Sequence, residues 1–165
     1  MLIVADRLLT KIRLRLQDMQ AVKLSDYELL SALNDARSML WIALAENFST
    51  IPQRKAELTM TDGAAPLPEG YYSLVALPQG ARVVGETVES DDGKTEIIYN
   101  AVPEQVSSSS EEISVPSSLV LDTVEIAAFI AGGDTGGAVN TAMASARRVS
   151  QKREYSKLPD WKHFS

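Results

Sequence analysis

Residues 24–48, LSDYELLSALNDARSMLWIALAENF, constrain the fold more than any other stretch of the chain. Ser25, with Glu28 three residues on, forms a capping box. The Ser25 hydroxyl is placed to accept the backbone N–H of Glu28, and the Glu28 carboxylate to accept the N–H of Ser25. Asp26 and Glu28 put negative charge at the positive end of the helix dipole. Leu29, Leu33, Ala36, Leu40, Ala43 and Leu44 recur at steps of three and four, one apolar stripe along a helix of about six turns. Leu30, Trp41 and Phe48 widen the stripe, which predicts neighbours on more than one side. The helix must end before Ile51-Pro52, because a residue preceding proline is pushed out of the α region.

A partner helix lies just upstream. Leu2, Ala5, Leu9, Ile12, Leu16 and Met19 form a heptad-like seam, and Arg7, Lys11, Arg13, Arg15 and Asp18 fall on the opposite, wet face. The short link Gln20–Leu24 predicts an antiparallel hairpin. Two helices cannot bury both stripes, so the rest of the chain must cover them.

Beyond Pro52 the periodicity changes. Ala56–Thr61 alternates as a strand, and Asp62-Gly63 is turn chemistry. Tyr71–Leu77 fits either a helical turn opened by Pro68 or a strand. Ala81–Val88 and Thr95–Val102 read as two strands of one hairpin across Asp91–Lys94. Ser107–Ser110 reads as an exposed mobile loop, and Ile113–Val115 as a last short strand. Leu119–Ala131 is a third helix, with Leu121, Val124, Ala128 and Ile130 or Ala131 on its apolar face. Gly132–Gly137 breaks it, and a fourth helix runs from about Ala138 to Tyr155. The expected fold class is α+β, mainly α. It is an antiparallel helical bundle of about four helices in residues 1–155, with a small antiparallel β insertion at about 56–115. Residues 156–165 form an extended C-terminal tail.

With 165 residues the chain suits one domain with a real core. No apolar run reaches membrane-spanning length, and the absence of cysteine excludes disulfides and thiolate metal sites. The amphipathic N-terminus is unlike a signal peptide, so intracellular folding is the expectation. The net charge of −6 is uneven. Residues 142–165 hold six basic side chains, Arg147, Arg148, Lys152, Arg153, Lys157 and Lys162, against Glu154 and Asp160. That end carries +4 and the remaining body −10. An acidic body is a poor general binder of nucleic acid. A basic end on it suggests an arm that docks on an acidic neighbour, or else a solvated basic helix. In the tail, Leu158, Trp161 and Phe164 recur at steps of three. They suit docking into a groove on a partner, the alternative being a tail folded back on its own helices.

Catalytic chemistry is sparse. The single histidine, His163, sits on the tail, where a triad or metal site lacks support. Gly132–Gly137 lacks the P-loop lysine and follows a helix, so it reads as a helix–helix turn. Glu86, Glu89, Asp91 and Asp92 surround a hairpin tip but are too few for a calcium loop. No carboxylate pair singles itself out for sugar hydrolysis, and no cofactor is expected.

The layout resembles the phage head–tail connector (adaptor, or head-completion) proteins. Ile12-Arg13-Leu14-Arg15-Leu16-Gln17-Asp18 is similar to that family's R-x-x-L-x-D. Leu24-Ser25-Asp26-Tyr27-Glu28-Leu29-Leu30, leading to Leu33-Asn34-Asp35-Ala36, is similar to its W-S-D-x-E-L-x-x-x-L-N-x-A, with Leu24 at the aromatic position. Leu67-Pro68-Glu69-Gly70-Tyr71 is similar to its L-P element before a β insertion. Tyr99-Asn100-Ala101-Val102-Pro103, then Val115-Pro116 and an alanine-rich helix pair, complete the order. The departures are the glycine-rich break at 132–137 and the serine run at 107–110.

The resemblance implies a non-enzymatic virion structural protein, made in the bacterial host cytoplasm and resident in the neck. It implies a homo-oligomeric ring, usually twelvefold, under the portal protein. The ring extends the DNA channel, passes DNA without sequence specificity and receives a downstream tail or neck protein, with no membrane involved. It gives the basic arm the portal as its partner, through Arg147, Arg148, Lys152, Arg153, Tyr155, Leu158, Trp161 and Phe164. The rival expectations are a phage-associated wall-degrading enzyme and a small cytoplasmic helical adaptor.

Overall fold

The computed structural model describes residues 1–18 and 23–156, with 152–156 described through their backbone. Helix α1 spans Ala5–Leu16 and α2 spans Asp26–Glu46. The capping box forms as the sequence predicts. Glu28 N–H donates to Ser25 Oγ at 3.2 Å, and Ser25 N–H donates to Glu28 Oε2 at 2.7 Å. The Ser25 backbone N–H, and then its hydroxyl, hold the Glu28 carboxyl below its ordinary value of 4.5. A carboxyl depressed in the folded state adds stability above the unfolded-state value and loses it as pH falls through the folded-state value. The stability difference between the protein and Glu28→Gln should therefore be constant well above pH 4.5 and shrink below it. Urea unfolding along an acid series reads this, and a difference indifferent to acid refutes it.

Helix α3 (Val120–Ala131) follows a 3-10 turn at Ser117–Leu119 and packs against α1, α2 and α4 (Thr135–Ser156). It supplies the cover that the first two helices need. Leu8, Ile12, Leu29, Leu33, Leu40, Leu44 and Ile126 are fully buried between these helices. On α4 the apolar contact is made by Ala138, Ala142 and Ala146, whose small side chains let the helices approach closely. The turn between α3 and α4 is confined to Gly132–Asp134, with Gly133 at φ +81°, and Gly136 and Gly137 lie in the first turn of α4. Asp134 Oδ1 accepts the Gly137 N–H at 2.8 Å, so α4 starts at Thr135 rather than at Ala138.

The expected architecture, a helical bundle with a small β insertion, is overturned. Among the described residues there are eight strands in three antiparallel sheets, about a quarter of the chain, and the fold is α+β in full. Three misread segments account for the difference. Leu2–Val4 is strand β1 and not helix. It pairs with β8 (Glu112–Ser114) in the register Leu2↔Ser114, Ile3↔Ile113, Val4↔Glu112. The β-branched Ile3 and Val4 suit a pleated ladder better than a helical turn.

The expected hairpin between 81–88 and 95–102 does not form. Arg82–Val84 (β5) and Thr87–Glu89 (β6) pair with each other across Gly85-Glu86. Gly85, at φ +59°, supplies the first position of a two-residue hairpin turn. β6 also pairs with Ala64–Pro66 (β3), giving the order β3-β6-β5. Lys94–Ala101 (β7) is instead the centre of a separate sheet, between Gln53–Thr59 (β2) and Tyr71–Ala76 (β4). Tyr71–Ala76 is thus a strand. Val88, Ile97 and Tyr99 form a second small core, with Tyr71 stacked on Tyr99 at 5.9 Å between centroids.

Three further expectations change. Phe48 is 93% exposed at φ +57°, just past the end of α2, and does not widen the stripe. Leu121 faces outward, at 72% exposure. The serine run is tied down. Ala5 N–H donates to Glu111 O and Asp6 N–H to Ser109 O, each at 2.8 Å, so this loop caps α1, which has no side-chain cap of its own.

Candidate functional site

Two arrangements on α2 organise the molecule around the motif residues. The first closes the α1–α2 link. Gln17 adopts the left-handed conformation at φ 56°, and Asp18 N–H returns to Arg13 O at 2.9 Å. This turns Asp18 inward, where its carboxylate accepts the N–H groups of Lys23 and Leu24, each at 3.1 Å. Arg13 Nη1 donates to Asp18 Oδ2 at 3.2 Å and to Leu24 O at 2.9 Å, and Nη2 donates to Asp26 Oδ1 at 2.6 Å. Arg13 and Asp18 are both buried and not on a wet face. Helical periodicity misplaces Asp18 because the helix has already ended at Leu16.

The second arrangement pins the strap that runs from β7 to β8. Asn34 Oδ1 accepts the Val106 N–H at 2.8 Å, and Asn34 Nδ2 donates to Val106 O at 2.9 Å, a side-chain copy of a strand pair. One turn on, Arg37 Nη1 donates to Glu104 O at 2.9 Å. Burial lowers the Arg37 guanidinium pKa from its usual value, and the Glu104 carboxylate works against that shift.

Next to the strap lies an open cleft of about 780 Å3. Arg37 and Trp41 of α2 form one wall. Ile51 and Arg54 at the start of β2, Tyr99 and Ala101 of β7, strap residues 102–106 and Glu111–Ser114 complete it, with Glu69, Gly70 and Pro116. Glu69, Glu104, Glu111 and Glu112 make its lining acidic. Arg37 and Trp41 are 5% and 4% exposed, and the Arg37 Nε–H and Trp41 Nε1–H have no acceptor among the described residues. Two buried donors without acceptors, one helical turn apart, are an unmet demand for carbonyl or carboxylate oxygens. No motif in the sequence points to this cleft, since its walls come from segments up to about eighty residues apart.

Of the residues expected to bind the portal, the two whose side chains are described, Arg147 and Arg148, do not line this cleft. Arg147 and Arg148 are exposed on α4. Arg148 pairs with Asp122 of α3, whose other oxygen accepts from Ser145 Oγ at 2.8 Å. Ser150 Oγ donates to Asn47 O at 2.7 Å, fixing α4 against the end of α2. Lys152, Arg153 and Tyr155 fall within the span of α4, but their side chains lie outside the described residues, as do Leu158, Trp161, His163 and Phe164 altogether. At the β5–β6 hairpin Glu89 is paired with Arg82 at 2.6 Å, and no cluster of His, Asp or Glu among the described residues is arranged to hold a metal ion. No helix among them is long and apolar enough to cross a membrane. No family model matches the chain, and no curated protein matches it.

Proposed function

We propose that this chain is a virion structural protein, a head-to-tail adaptor that forms a ring under the portal, extends the DNA channel and joins the capsid vertex to the tail. The observation that carries the reading is the coherence of the connector-like motifs. Buried Arg13 and Asp18 of one motif and exposed Asp26 of the next meet in a single network, and Asn34 holds the strap leading out of the sheets. Residues whose order resembles a family thus take the roles that give the hairpin its shape. A second support is surface character. β4 is an edge strand with Tyr72, Leu74 and Val75 about 40% exposed, which suits contact with the next subunit of a ring.

In this reading the protein works by assembly and not by turnover. The basic end of α4 and residues 156–165 dock on the portal, and many copies give strong avidity from modest single contacts. Light scattering on the protein alone, then mixed with the portal protein of the same genome, tests this. The expected result is binding at near one subunit to one. Deleting residues 156–165 is expected to leave the far-ultraviolet spectrum unchanged and to abolish co-sedimentation with portal rings. A protein that ignores the portal, or a truncated one that still binds it, overturns the reading.

A further inference from the structure

We propose that strand β4 pairs edge to edge with β4 of a second copy of this chain, forming a twofold dimer that must open before the same edge can meet the next subunit of a ring. The sheet order β2-β7-β4 leaves the outer edges of β2 and β4 without a strand partner among the described residues. Unpaired N–H and C=O groups along an edge template the addition of another strand, and proteins blunt such edges with charge, proline or short length. β2 is blunted by charge. Arg54, Lys55 and Glu57 are exposed on it, and Lys55 and Glu57 form ion pairs with Glu96 and Lys94. β1, β3, β5 and β8 are blunted by length, at three residues each. β4 has neither protection. Its six residues, Tyr71–Ala76, carry no charge and no proline. The register against β7 shifts between Leu74 and Ala76, the alternation fails there, and Leu74, Val75 and Ala76 are exposed in succession. Such a run of apolar side chains on a strand calls for a cover.

The chemistry of the edge selects a copy of itself. Two β4 strands side by side place no charge opposite a like charge, whereas β2 or β5 of a neighbour would bring Arg54, Lys55 or Arg82 against an apolar row. Twofold self-pairing uses the same patch on both subunits and is the commonest symmetry of soluble homo-oligomers. The end of α2 extends the patch. Tyr72 Oη donates to Glu46 Oε1 at 3.1 Å, which ties β4 to the last residue of α2, and Phe48, two residues on, is 93% exposed at φ +57°. Glycine or asparagine normally takes a left-handed position after a helix. An aromatic ring held there in water fits a side chain kept for contact with a partner. A twofold pair closes on itself and cannot continue into a ring. Its role as the resting form of a ring subunit rests on the adaptor reading, and the pairing itself does not.

Light scattering and hydrogen exchange on the full chain, without portal protein, test the pairing. The expected mass is that of two chains, falling to one on dilution. The β4 amides should exchange about tenfold more slowly in the dimer than in the diluted chain, with those of β2 unchanged. Leu74→Lys puts a charge on the edge at a side chain 42% exposed, and should weaken the pair about tenfold or more with the far-ultraviolet spectrum unchanged. Phe48→Gly suits the left-handed position, and should weaken the pair about threefold without lowering the melting temperature of the diluted chain. Leu121→Lys, at a side chain 72% exposed on α3, is the control and should leave the pair intact. The proposal is overturned by a single-chain mass at every concentration, by an assembly larger than two, by a dimer that Leu74→Lys leaves intact or Leu121→Lys weakens equally, or by β4 exchange indifferent to concentration. If Leu74→Lys alters the far-ultraviolet spectrum, the exchange of the unsubstituted chain decides. Failure here leaves portal binding by the adaptor standing, and failed portal binding leaves the β4 pairing standing.

Discussion

Asp18→Ala lowers the stability of the protein by about 3–4 kcal/mol, within the range for breaking a buried ion pair by removing one partner. Among the described residues the loss falls in two places. Arg13, 8% exposed, keeps Asp26 and the Leu24 carbonyl as its guanidinium partners among the described residues. The N–H groups of Lys23 and Leu24 lose the acceptor that closed the link. The exposed pairs Lys55–Glu96 and Arg82–Glu89 offer the contrast, because breaking either costs about 0–1 kcal/mol in water and salt. Urea unfolding with an unchanged m-value reads the difference. A double-mutant cycle with Arg13→Met should show a coupling well above about 1 kcal/mol. Additive losses would show that the two side chains act separately.

Asn34→Ala costs about 2–4 kcal/mol. Two hydrogen bonds to Val106 vanish, and the N–H and C=O of a residue only 5% exposed are left without partners. Each bond contributes about 1 kcal/mol net, and a buried orphan group costs about 1–3 kcal/mol. Asn34→Asp separates these effects, since one carboxylate oxygen still accepts the Val106 N–H while the other faces the Val106 carbonyl. The expected order of stability therefore puts the wild type first, with the Asn34→Asp and Asn34→Ala variants both well below it. Hydrogen exchange at Val106 should accelerate in Asn34→Ala far more than exchange in α3. Equal exchange at Val106 in the wild type and Asn34→Ala would mean that the strap is held by something other than Asn34.

The helical half of the fold is legible in the sequence because its rules are local. Capping chemistry and three-four periodicity place α2 within a residue or two, and the glycines locate the break between α3 and α4, although α4 starts three residues earlier than expected. The sheets are not legible to the same degree. Strand pairing depends on partners distant in sequence, and a single glycine at Gly85 converts one expected strand into a two-strand hairpin. That change moves β7 from the hairpin expected with 81–88 to the centre of a different sheet. Arg13 illustrates the same limit for charge. Periodicity puts it on the wet face, whereas a left-handed turn at Gln17 swings Asp18 back and buries the pair. The cleft is invisible in the sequence for the related reason that its two unsatisfied donors carry no signal until the strap and sheets are laid against α2. Trp41 reads as an apolar side chain, and its N–H becomes informative only with its surroundings.

The cap on α1 has a consequence for the order in which the chain is made. Ala5 and Asp6 donate to carbonyls of Glu111 and Ser109, and Leu2 pairs with Ser114. Helix α1 is therefore made well before the carbonyls that satisfy its N-terminus, which lie more than a hundred residues further along the chain. Until then the α1–α2 hairpin has its clamp at Arg13 and Asp18 but an open stripe of leucines, and α3, which covers that stripe, emerges directly after the capping segment. Completion of the cap and closure of the core are thus coupled to the same stage of translation. The nascent chain passes through a long interval in which its best-formed element is also its stickiest.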